Sequence, residues 1–78
     1  MKEMINNIGE RMVTKMRIIN AEKRDGEYSD NFRKFPIYSE FVGMTQLLKA
    51  MEIDFEIDFD ETVTYMTAIT IMGTRFDL

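Results

Sequence analysis

The 78 residues, 45% apolar and 12% aromatic, can bury one small core and no second one, so residues 1–78 read as a single domain. No apolar run is long enough to span a bilayer, and neither a leader-like opening nor any cysteine points to export, so a soluble chain of the cytoplasm, not bound to membrane, is expected. The net charge of −4 is segregated: residues 1–39 carry eight Lys/Arg and six Asp/Glu, whereas residues 40–78 carry two and eight. This disfavours direct nucleic-acid binding by the second half, because bound phosphates need cations to replace their counterions, and it steers that half toward basic partners.

The first element is helical. Met1, Met4, Ile5, Ile8, Met12, Met16 and Ile19 fall on one stripe at three- and four-residue spacing. The helix should end between Lys23 and Gly26, where two cations face the negative end of its dipole and glycine can close it. Pro36 lacks a backbone donor and is comfortable only in a first turn, so a second helix is predicted from about residue 36 to 51. Its stripe is Ile37, Phe41, Met44, Leu48 and Met51, widened by Tyr38 and Leu47. Between the helices, Ser29, Asp30 and Asn31 lead into Phe32 and Phe35, which we read as a short separate turn.

Near residue 52 the apolar period changes from helical to two. Ile53, Phe55, Ile57 and Phe59 line one face of a strand, and Glu52, Asp54, Glu56, Asp58 and Asp60 the other. A second strand follows, with Val63, Tyr65, Ile69 and Ile71 alternating with Thr62, Thr64, Met66, Ala68 and Thr70. Pairing Phe59 with Val63 across a three-residue loop sets Ile57 beside Tyr65 and Ile53 beside Ile69, with every apolar side chain on one face. Met72 and Gly73 turn the chain into a terminal strand where Phe76 and Leu78 join that face. The expected fold is α+β in two layers: a helical hairpin packed on one face of a three-stranded antiparallel meander, in the order α-α-β-β-β.

Catalytic readings fail by subtraction. Without His or Cys the chain lacks the commonest general base, the thiol nucleophile and most zinc ligands. Paired carboxylates that hydrolyse glycosides need a cleft, which an exposed ladder does not supply. The run from Asp58 to Glu61 has acids two apart, as a calcium loop does, yet lacks that loop's glycine and distal glutamate. The four glycines are isolated and cradle no phosphate. The chain is therefore expected to be no enzyme and to carry no cofactor or metal.

Binding remains. Acids on one face of a strand recur about every 6.6–6.8 Å, close to the spacing of phosphates along a nucleic-acid strand. Glu52, Asp54, Glu56, Asp58, Asp60 and Glu61 are thus a candidate surface for a basic partner, or else protection of a strand edge against pairing. Met66, Ala68 and Met72 are expected on the outward face of the sheet, where flexible thioethers suit a homo-oligomer contact. Arg17, Lys23, Arg24, Arg33 and Lys34, interleaved with Tyr28 and Phe32, gather at the interhelical turn, where a small ligand or nucleotide is a third option.

In size, acidity, compactness and lack of catalytic groups the chain resembles the small inhibitors encoded by phages and mobile elements, such as anti-CRISPR and other counter-defence proteins. The resemblance is one of type and transfers no residue. It implies a protein that blocks the basic groove of a nucleic-acid-handling host enzyme by acidic mimicry.

Overall fold

A computed structural model describes residues 2–25 and 36–78. Two helices, α1 (Lys2–Asp25) and α2 (Pro36–Ala50), precede three strands, β1 (Phe55–Phe59), β2 (Met66–Ile71) and β3 (Thr74–Asp77). The sheet is antiparallel in the order β1-β2-β3, so the α+β meander with helices on one face is the architecture observed. The interhelical turn expected around residues 29–35 lies outside the described residues.

Helix α1 carries most of the packing. Ile5, Met12, Met16 and Ile19 from its stripe, joined by Val13 from outside it, are buried with Ile69 and Ile71 of β2, and α2 adds Phe41 and Leu48. α1 touches α2, β2 and β3, whereas α2 rests mainly on α1. Leu47 and Met51, expected to extend the α2 stripe inward, are more than half exposed, because α2 has only one helix to cover.

Two contacts fix α1 on the sheet. Asn20 acts as a substitute strand: its Nδ2 donates to the Met66 carbonyl at 2.8 Å and its Oδ1 accepts the Met66 N–H at 3.0 Å. Both groups would otherwise be backbone orphans in a half-buried place. Further along α1, Gly9 is buried against the tip of the Phe76 ring, so closely that a Cβ there would overlap the ring. A helix residue without a side chain is what lets β3 dock.

The end of α2 explains where β1 begins. Glu52 N–H donates to the Lys49 carbonyl at 3.0 Å and Ile53 N–H to the Leu48 carbonyl at 2.9 Å. This double closure is a Schellman motif, with Glu52 in the left-handed position at φ 58° and Ile53 returning to the core beside Leu48. Glu52, expected as the first acid of the strand, therefore closes a helix, and the strand starts three residues later.

The strand register also departs from expectation. Ile57 faces Ile69 and Phe55 faces Ile71, four residues away from the expected pairing of Ile57 with Tyr65. A displacement of four preserves the faces, so the apolar side of β1 still meets that of β2. The extra length is taken up between Asp60 and Tyr65, and a shift between Asp58 and Phe59 adjusts the pairing to Phe59 with Met66. Val63, expected on the apolar face, instead sits in this loop, 70% exposed, with φ at 55°. At the other end of β2, Met72 and Gly73 form a two-residue hairpin with φ of 50° and 83°, the signature of a type I′ turn.

Two stability measurements follow from this packing. Gly9→Ala should destabilise by about 1–2 kcal/mol in urea unfolding, since overpacking against Phe76 outweighs the gain in helix propensity; in a double-mutant cycle Phe76→Leu should relieve part of the loss. Val63→Asn should stabilise by about 1 kcal/mol, because asparagine tolerates the left-handed backbone that a β-branched residue resists.

Candidate functional site

The acidic run does not form one ladder. Glu52 lies at the end of α2, and Asp54 precedes β1, its carbonyl accepting the Met72 N–H at 2.9 Å. Glu56 and Asp58 stand on the outer face of β1, opposite Thr70 and Ala68 of the central strand. Asp60 ends the strand and Glu61 lies exposed in the following turn. Only Asp54, Glu56 and Asp58 continue the expected period along the edge.

Asp58 is already ion-paired. Arg75, on β3, donates from Nη1 to Asp58 Oδ2 at 2.7 Å and from Nε to Asp77 Oδ1 at 2.9 Å. Hydrogen bonds to Asp77 and then Asp58 push the guanidinium's pKa above its ordinary value, so the cation persists at any working pH. Its side chain crosses the central strand to reach Asp58 on the far edge, while Asp77 stands beside it on its own strand. Ala68, paired with Asp58 on one side and Asp77 on the other, lies beneath this crossing and is fully buried.

That burial corrects the expected oligomer surface. Ala68 is on the outward face, as its parity requires, but Arg75 and its two acids cover it. Met66 is 6% exposed and belongs to the core under α1, because the pairing shift beside Asp58 and the Asn20 clamp turn the start of β2 inward. Of the three residues only Met72, at the hairpin tip, is exposed.

Asp60 organises the loop that sets the register. Its Oδ1 accepts the N–H of Thr64 at 2.8 Å and of Tyr65 at 3.2 Å, its Oδ2 accepts the Thr62 hydroxyl at 3.1 Å, and its carbonyl accepts the Val63 N–H at 2.9 Å. Desolvation pushes this carboxyl up, but the Thr64, Tyr65 and Thr62 donors together outweigh it and hold the pKa below the ordinary value. Asp60 is thereby a structural acid.

Lys23 Nζ donates to the Thr64 carbonyl at 2.8 Å, tying α1 to the Asp60 loop, while Arg17 lines a cleft beside Phe76 and Asp77. Arg33, Lys34, Tyr28 and Phe32 lie outside the described residues. Among the described residues no group of three acids gathers as a metal site, and the open hollows include a groove of about 610 Å³ between Met4 and Ile8 of α1 and Met44 and Leu47 of α2.

Arg75 is the residue that sequence reading passed over. Its signal was present: with Phe76 facing inward, alternation sends Arg75 and Asp77 outward, and Arg75 is one of only two cations in the acidic half. Compared with known proteins, the chain matches no family model, no curated protein and no solved structure. No described helix is long and apolar enough to cross a membrane.

The Asp60 carboxylate gives a pH test. Because its folded pKa lies below the ordinary value near 3.8, its stabilisation is complete above that value and is lost as pH falls through the lower folded value. Asp60→Asn should therefore lower the melting temperature at neutral pH, and the gap from the parent chain should narrow as pH drops below about 4.

Proposed function

We propose that this protein is a non-enzymatic binding module whose β1 edge engages a basic surface of another protein, of the kind that ordinarily holds nucleic acid. The observation that carries this reading is the position of the surviving acids. β1 is an edge strand; Asp54 and Glu56 are exposed along it, and among the described residues neither makes an ion pair. Their charge thus remains available to a partner.

The hydrogen-bond phase of the sheet sharpens the proposal. Asp54 bonds toward the central strand through its carbonyl, so by alternation Glu56 and Asp58 do so as well, and the backbone groups of Phe55, Ile57 and Phe59 point away from the sheet. A partner strand added there would find free donors and acceptors, with acids on every second residue to meet its Lys or Arg. An inhibitor of phage or mobile-element type acting by acidic mimicry is the biological setting that fits this chemistry. Edge protection uses the same residues, and partner capture separates the two.

Capture from nuclease-treated lysate at low and high salt should retain a nucleic-acid-binding protein that salt releases. The double variant Asp54→Ser/Glu56→Thr, which leaves the Asp58–Arg75 pair intact, should lose most of that capture while remaining folded; equal capture by parent and variant would remove the reading.

A further inference from the structure

The opposite edge of the sheet has a different chemistry. Leu78 N–H donates to the Thr67 carbonyl at 3.1 Å, and Ile71 and Thr74 close the hairpin, so Thr74, Phe76 and Leu78 bond toward β2. By alternation the backbone N–H and C=O of Arg75 and Asp77 point outward, and among the described residues no strand pairs with them.

We infer that a second copy of this chain pairs with this edge, β3 against β3, antiparallel about Phe76. In that register Arg75 faces Asp77 of the second copy and Asp77 faces its Arg75. Each such pair exchanges two backbone hydrogen bonds and sets opposite charges side by side on the outer face. Phe76 meets Phe76 of the second copy on the helix side. The arrangement is self-complementary, as a two-fold interface must be.

The cleft running beside β3 repeats the pattern on α1. It measures about 440 Å³ and is lined by Glu10, Val13, Thr14, Arg17, Phe76 and Asp77. A two-fold axis perpendicular to the sheet keeps both α1 helices on one side and runs them antiparallel, so Glu10 comes across from Arg17 of the second copy, with Thr14 between the two pairs.

The β1 edge does not suit this occupant. Centring two β1 strands on Ile57 satisfies the same backbone rule, yet it sets Glu56 opposite Asp58 of the second copy, and every register that keeps the faces aligned opposes acid to acid. The second copy therefore takes β3 and leaves β1 open.

The test uses the whole chain and needs no variant at first. Sedimentation should show the 9.2 kDa monomer giving way to a dimer as concentration rises from micromolar to millimolar. Over the same range amide exchange at Arg75 and Asp77 should slow at least about tenfold, while Phe55, Ile57 and Phe59 keep their rates. Glu10→Arg should weaken association about tenfold, and Glu10→Arg/Arg17→Glu should restore it. Exchange at Arg75 and Asp77 that does not change with concentration, in a monomer or in a dimer, would overturn the inference.

Discussion

Everything in this small fold depends on how one helix sits on one strand. Among the described elements only α1 touches α2, β2 and β3 in strength, and its seat on β2 is set by a side-chain amide that completes the backbone bonding of Met66. Apolar burial alone would let a Met-rich helix slide, because thioethers adapt to many packings. The paired Asn20 hydrogen bonds remove that freedom along the helix axis. Gly9 removes it at the other end, where the Phe76 ring reaches the helix backbone. Between these two points lie Met12, Met16 and Ile19, all essentially without solvent contact.

The parts legible in the sequence are those that hydrophobic period determines. Both helices, the three strands, their order and the inward face of Phe55, Ile57, Ile69, Ile71 and Phe76 all follow from spacing. Register did not, because a period of two is blind to displacements by even numbers. What selects among those registers is the carboxylate of Asp60, which draws in Thr64 and Tyr65 N–H groups and lengthens the loop. Such side-chain-to-backbone bonds leave no periodic trace. Glu52 was misread for a similar reason: it alternates correctly with Ile53, yet the backbone closes α2 there.

The candidate site contracted on the same grounds. Six acids close together in sequence have four different surroundings: a helix end, an open edge, an ion pair and a hydrogen-bonded loop. Only burial and partners distinguish them, and both are properties of the folded chain. Asp58 and Asp60 act within the molecule, which leaves the exposed charge concentrated at Asp54 and Glu56 with Glu52 and Glu61 at either end. Of the expected basic cluster, Lys23 serves the β1–β2 loop.

The seat of Ala68 has a consequence for the uncovered side of the sheet. Among the described residues helices shield one side only, and a central strand normally needs either polar residues or a second layer on the other. Here the smallest side chain with a Cβ sits in the middle and a guanidinium stretched between two carboxylates closes over it. The roof is made of charge, not of protein. Ala68 is thereby kept from water while the surface above it stays hydrated, and any larger residue at this position would have to lift the roof to fit.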